Sequence, residues 1–201
     1  MKVGLYFGTF NPIHVGHLVI ANHMAQYAGL DEVWLVVTPR NPMKLKDSLL
    51  PDYHRYELVH RAIEDNYKLR ASDIEFKLEK PSYTANTLVY LEEKYPNNEF
   101  ALIMGEDNLR TFHKWKNHEN ILANHRLIVY PRVLTEQEEA QVTSHNGNFL
   151  HDHPHVQMVE APVMKISASF IRRAIKEGKD VRYLLSEPVW AYIDEMNFYK
   201  K

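Results

Sequence analysis

The chain of 201 residues has no cysteine. That excludes a disulfide framework, a thiolate metal site and a cysteine nucleophile, and it fits a reducing compartment. An excess of one charge is also missing. The 24 Lys and Arg stand against 26 Asp and Glu, a formal net charge of −2 with histidines neutral. No global basic field exists to attract nucleic acid, so an anionic ligand would have to be met by local positive charge. No apolar run approaches the roughly 20 residues of a membrane helix. Met1 to Gly8 carries one Lys and an apolar stretch shorter than a secretory leader needs. A cytoplasmic protein with neither a membrane nor a nucleic-acid partner is expected. A Gly-x4-Gly-Lys-Ser/Thr run is absent as well, which excludes a P-loop ATPase.

The composition is that of an ordinary globular protein. With 45% hydrophobic residues, the chain has the apolar surface for a core and needs no metal or disulfide staple. One domain spanning 1–201 is expected, with a small helical C-terminal part. There is no internal repeat. Leu134 to Pro154 is polar and aperiodic and reads as a surface insertion.

Hydrophobic patterning alternates along the chain. Lys2 to Phe7 reads as a short buried strand, and Gly8 to Ile13 as a loop. From His14 the spacing is helical, with Leu18, Ala21, Ala25 and Ala28 on one side and Gly29 as a stop. Glu32 to Thr38 holds a continuous apolar run, as strands covered on both faces do. Strands are also predicted at Leu69 to Phe76, Phe100 to Met104, Arg126 to Tyr130 and Val156 to Glu160. Helices are predicted at Asp52 to Asn66, Thr84 to Tyr95, Asp107 to Ala123 (broken near Lys116-Asn117), Ser167 to Lys176 and Ser186 to Met196. Asp52 is a candidate N-cap. Strictly alternating strands and helices predict an α/β fold, a parallel sheet with helices on both faces. Such sheets bind ligands at the carboxyl ends of their strands.

Two segments carry chemistry. In Gly8-Thr9-Phe10-Asn11-Pro12-Ile13-His14-Val15-Gly16-His17, two histidines sit three apart at a helix start and share a face. A helix N-terminus offers unpaired N–H groups and the positive end of the macrodipole, and imidazoles beside it add donors for phosphate oxygens. Gly8 permits close backbone approach, and Gly16 removes an obstructing side chain. In Ile166-Ser167-Ala168-Ser169-Phe170-Ile171-Arg172-Arg173, hydroxyls gather at a second helix start with arginines one turn on. An ordinary serine cap with solvated arginines is the plainer reading of that second segment alone.

The first segment resembles the nucleotidylyltransferase signature, a Gly-rich turn leading into His-x-Gly-His. Phe7 and Asn11 stand where relatives often have Gly and Asp. The second resembles the family's Ile-Ser-Ser-Thr-x-Ile-Arg, with Ala168 and Ser169 in place of Ser and Thr. Arg172 occupies the signature Arg position, and Arg173 reads as a solvated face. Ser82-Tyr83-Thr84, Gly105-Glu106-Asp107 and a Trp eight residues beyond Asp107 resemble the nicotinate mononucleotide branch of that family.

The resemblance implies a Rossmann-like doubly wound sheet. It also implies transfer of the adenylyl group of ATP to nicotinate mononucleotide, with Mg²⁺ carried by the triphosphate. It assigns catalysis to His14, His17, Lys44 and Arg172. It assigns ATP to Gly8, Thr9, Phe10, His14, Gly16, His17, Ile166, Ser167, Ser169 and Arg172. Lys44, Tyr83, Thr84, Asp107 and Trp115 are left for the mononucleotide. Asp107 also has a plainer reading as a helix N-cap, and Trp115 as core. A sister transferase for nicotinamide mononucleotide or another phosphate acceptor is the near alternative. A non-catalytic nucleotide-sensing module is the distant one, and it would be free to lose the two histidines. His151-Asp152-His153-Pro154-His155 reads as a solvated loop rather than a metal site, because the Pro spoils regular ligand spacing. The sequence leaves a homo-oligomer open.

Overall fold

A computed structural model describes residues 1–39, 49–131 and 150–200. Its elements run β1 (Lys2–Gly8), α1 (Val15–Tyr27), β2 (Glu32–Val37), α2 (Asp52–Ile63), β3 (Leu69–Ser72), α3 (Thr84–Lys94) and β4 (Glu99–Gly105). Then come α4 (Glu106–Thr111), α5 (His118–Asn124), β5 (Arg126–Tyr130), β6 (Val156–Met158), α6 (Ala168–Lys176) and α7 (Glu187–Glu195). All pairings are parallel, and the strand order is β3-β2-β1-β4-β5-β6. The order reverses between β1 and β4. A crevice opens at such a switch point because the connections leave toward opposite faces.

Successive residues of the central strands feed different cores, as the two-residue period of a strand demands. Val3, Leu5, Trp34, Val36, Leu102 and Leu127 join one cluster with Leu88 and Leu91 of α3. Tyr6, Val33, Leu35, Ile103 and Ile128 join the other, with Ala21 and Met24 of α1, Leu58 of α2 and Ile193 of α7. This double cover explains why the strands read as unbroken apolar runs. The expected doubly wound α/β sheet is present.

Several boundaries differ from the sequence reading, each for a local reason. Asp52 is the first residue of α2 rather than its cap; Pro51 precedes it, and the Asp52 carboxylate pairs with Arg55 at 2.6 Å. The strand expected over Leu69 to Phe76 ends at Ser72. The chain then winds into a 3₁₀ turn at Ile74–Lys77 that buries Ile74 and Glu75. The helix expected from Asp107 is three short pieces, with Asn117 left-handed at φ 56° at the predicted break. Asp107 lies in the first turn of α4, whose N-cap is Gly105, and the strand expected to reach Glu160 ends at Met158. The expected insertion from Leu134 falls outside the described residues as far as 149, and so does Lys44. No helix among the described residues is long and apolar enough to cross a membrane.

Candidate active site

A cleft of about 890 Å³ opens at the carboxyl ends of β1, β4 and β5. Gly8, Thr9, Phe10, Asn11, His14, Gly16 and His17 form one wall; Ile166, Ser167, Ala168, Phe170 and Arg173 form another. Tyr6, Asp107 and Tyr130 close the floor. Two helix starts at opposite ends of the sequence therefore face one space. Neither α1 nor α6 has an acidic residue in its first turn, so neither helix sets a carboxylate of its own against an anion at its positive end.

The loop before α1 is held from behind. Arg55 is fully buried and donates to the carbonyls of Thr9 at 2.6 Å, Thr38 at 2.8 Å and Leu50 at 3.0 Å. The same guanidinium pairs with Asp52, which offsets part of its desolvation. Phe10 sits in the left-handed region at φ 44° and is buried, with its ring edge-on to Tyr6 and His17. A side chain at Gly8 would meet that ring at 2.8 Å. Gly8 is therefore required by Phe10 packing as well as by access.

The histidines stack, with ring centroids 3.7 Å apart. The His14 N–H donates to His17 Nδ1 at 3.3 Å. That bond leaves the neutral His17 proton on Nε2, the donor position. Burial, reinforced by His14, holds the His17 pKa well below its usual value. Burial also lowers the His14 pKa to about 4. Both rings are neutral at pH 7 in this state. His14 Nδ1 is buried with no hydrogen-bond partner among the described residues, and leaving such a group unpaired is costly. A β-carbon at Gly16 would come within 3.1 Å of this same atom.

Across the cleft, Ser167 caps α6, its Oγ accepting from the Phe170 N–H at 3.1 Å. Arg172 lies outside the cleft lining. It donates to the Asn11 carbonyl at 2.7 Å and to Ser169 Oγ at 3.2 Å. Arg173, read as a solvated face, is exposed and lines the cleft. Asp107 reaches the floor because Gly105 has no side chain; a β-carbon there would be 2.5 Å from its Oδ1. The Tyr6 and Tyr130 hydroxyls lie 3.4 Å apart beside it, and burial first of all raises the Tyr6 pKa.

Tyr83, Thr84 and Trp115 lie outside the lining of this cleft. Tyr83 and Thr84 are consecutive, and Lys116, the residue after Trp115, places Nζ 4.5 Å from the Tyr83 ring centroid. Tyr83 is exposed, Thr84 opens α3, and Trp115 is half-buried against Phe112. Glu75 anchors the segment before α3. Its buried carboxylate accepts from Thr87 Oγ1 at 2.8 Å and Ser82 Oγ at 3.3 Å, and burial raises its pKa. The histidines near 151–155 face other elements: His155 Nδ1 lies 2.7 Å from the Leu122 carbonyl, and His151 Nε2 lies 3.5 Å from Glu106 Oε1. No group of three potential metal ligands gathers among the described residues.

Sequence reasoning missed Arg55 and Glu75. The signal for Arg55 was its place three and four residues before Leu58 and Val59, on the apolar stripe of its helix. Glu75 had no such signal, because a short 3₁₀ turn has no readable period.

Residues 5–174 match the family model described as cytidylyltransferase-like. A Flavobacterium johnsoniae protein named "Probable nicotinate-nucleotide adenylyltransferase" is 57% identical over 201 residues, all of both chains. A Bacteroides fragilis protein of the same name is 43% identical, covering 96% of this chain and 90% of its own. The solved Plasmodium falciparum nicotinic acid mononucleotide adenylyltransferase complexed with NaAD superposes with a TM-score of 0.75 at 20% identity, covering 99% and 97%. At that identity the likeness speaks for the fold.

Proposed function

Since the chain belongs to the cytidylyltransferase-like family and, within it, to the nicotinate-nucleotide adenylyltransferases, we propose that it transfers the adenylyl group of ATP to nicotinate mononucleotide. The products are nicotinate adenine dinucleotide, a precursor of NAD, and pyrophosphate. The observation that carries the chemistry is the neutral His14–His17 stack at a helix start, facing a second helix start across one cleft. The acceptor is inferred from the full-length relatives.

A phosphate oxygen of the mononucleotide attacks the α-phosphorus of ATP in line. A new P–O bond forms, the bond to the bridging α–β oxygen breaks, and pyrophosphate leaves with that electron pair. The attacking oxygen is already anionic, so positioning and charge stabilisation supply most of the rate. His17 Nε2–H donates to the growing charge, and His14 supports it through the stack. Gly8, Thr9, Phe10 and Gly16 let the backbone approach the nucleotide. Ile166 and Ser167 present the second helix start to the triphosphate. Arg172 and Ser169 brace that start, and Arg173 and Lys165 bring positive charge to the cleft lining.

Mg²⁺ arrives as part of the substrate, held by triphosphate oxygens and water, the usual manner for this ion. Asp107 on the floor suits ribose hydroxyls. Tyr83, Thr84 and Trp115 are assigned to the mononucleotide, the Trp stacking on its pyridine ring, and Lys44 to its phosphate. The whole chain acts as one catalytic domain. The cytoplasm is the proposed compartment, since charged nucleotides do not cross membranes unaided.

Pyrophosphate release with Mg-ATP, offering nicotinate and nicotinamide mononucleotides in parallel, tests this reading. Strong preference for the acid is expected. Equal use of both overturns the acceptor assignment. Release with neither, from folded protein that binds ATP, overturns the acceptor assignment and points to another acceptor or to the sensing module.

A further inference from the structure

Beyond α7 the chain turns back on itself through two left-handed residues, Asn197 at φ 55° and Tyr199 at φ 63°. Neither is glycine, so the turn is strained and must be held by contacts. Phe198 provides one, its ring 4.9 Å from His54 and 5.6 Å from Tyr192. Tyr199 provides the other, its hydroxyl donating to Asn11 Oδ1 at 2.7 Å, 188 residues away in sequence. Burial raises the pKa of this phenol, so it keeps its proton and remains a donor.

The same Oδ1 accepts from the Leu50 N–H at 3.2 Å, and the Asn11 carbonyl accepts from Arg172. Two residues before Asn11, the Thr9 carbonyl accepts from Arg55. Asn11 is 4% exposed. It is the point where the loop before α1, the approach to α2, the second turn of α6 and the C-terminal tail meet. Its side-chain oxygen serves the protein frame although the residue borders the cleft.

We propose that Tyr199 is a positioning residue for ATP. Its hydroxyl holds the Asn11 side chain, and the Asn11 carbonyl ties the loop that leads into His14 and α1 to Arg172 of α6. The tail thereby sets the spacing between the two helix starts that share the triphosphate. The proposal rests on the adenylyl-transfer reading for its ligand, ATP, and is independent of which acceptor is used.

The test uses the full chain with Tyr199→Phe, which removes only the hydroxyl. Mg-ATP binding is measured by calorimetry, and the KM of each substrate is measured separately. A lost hydrogen bond of ordinary strength predicts ATP binding weaker by about fivefold, with KM for ATP rising in step. The KM for the mononucleotide should stay within about twofold, and the melting temperature should fall by no more than about 4 °C, the scale of one lost hydrogen bond in a chain of this size. In an Asn11→Ala background, Tyr199→Phe should add no further loss, because the bond is already gone. Asn11→Asp keeps the accepting oxygen and should recover most of the ATP binding that Asn11→Ala loses. Unchanged ATP binding in folded Tyr199→Phe overturns the proposal, as do losses that add in the double variant. Equal ATP binding by Asn11→Ala and Asn11→Asp overturns it even if Tyr199→Phe does not fold. A chain that binds ATP but makes no dinucleotide would refute the acceptor and leave the tail's role standing.

Discussion

The two helix starts that face the cleft are built in opposite ways. The start of α1 is buried and over-determined: Phe10, Asn11, Ile13 and His14 are each at most 5% exposed. Arg55, Tyr199, Leu50 and the Thr38 N–H all bond its loop. The start of α6 is open. Met164 and Phe170 are each 48% exposed, and the turn is held by the Ser167 cap and by Arg172, which bonds Ser169 and the Asn11 carbonyl. Rigid surroundings hold reacting groups at fixed distances, whereas an exposed turn adjusts to its ligand at little cost. For the adenylyl transfer proposed above, the comparison teaches that a rigid start at α1 suits the reacting groups, while the open start of α6 suits a second, softer grip on the phosphates.

Substitutions can break this contrast. The largest expected effect is at Arg55. Arg55→Met would take the guanidinium from three carbonyls and from Asp52, which keeps Lys80 at 3.4 Å, and should cost about 3 kcal/mol of stability. Urea unfolding checks it, and a loss below about 1 kcal/mol would show that the α1 loop holds itself. Next is His17→Ala, which should lower kcat at least about a hundredfold, roughly 3 kcal/mol, with the fold intact. Steady-state kinetics on folded protein decide this, and equal turnover removes His17 from the mechanism.

The third effect is on pH. The folded-state pKa of His14 is lowered to about 4, while the unfolded chain titrates near 6.5. As pH falls below about 6.5, the unfolded state takes up the proton first. Stability is therefore complete above that pH and is lost progressively toward pH 4, by about 3 kcal/mol from this group. His14→Gln should flatten that acid limb in denaturation measured from pH 7 to pH 4. An unchanged limb would mean that His14 titrates normally. The smallest effect is at the soft end. Ser167→Ala should cost only about 1 kcal/mol of stability and weaken ATP binding severalfold. A collapse of activity as deep as that of His17→Ala would erase the contrast.

Much of the frame was legible in the sequence. β5 was delimited to the residue, and β1 and β2 nearly so, because strands covered on both faces are unbroken apolar runs between turn formers. The Asn117 break and the Ser167 cap were legible from residue chemistry alone. The histidine pair stood out by its spacing at a helix start. What stayed hidden depends on segments meeting in space. Nothing local says that Arg55 turns inward, that Arg172 reaches the Asn11 carbonyl, or that Tyr199 returns to the loop near the opposite end of the chain. The depressed histidine pKa values are likewise products of burial, which no spacing rule reveals.

The measurement that bears most directly on the account is an NMR titration of the His14 and His17 imidazoles, in free protein and with Mg-ATP. Free protein should show both rings neutral at pH 6, with His17 protonated at Nε2. Mg-ATP should raise both pKa values, because a phosphate oxygen beside the stack favours the charged ring. Two histidines that titrate near 6.5 with and without ATP would contradict the claim that this buried stack is where the triphosphate is held.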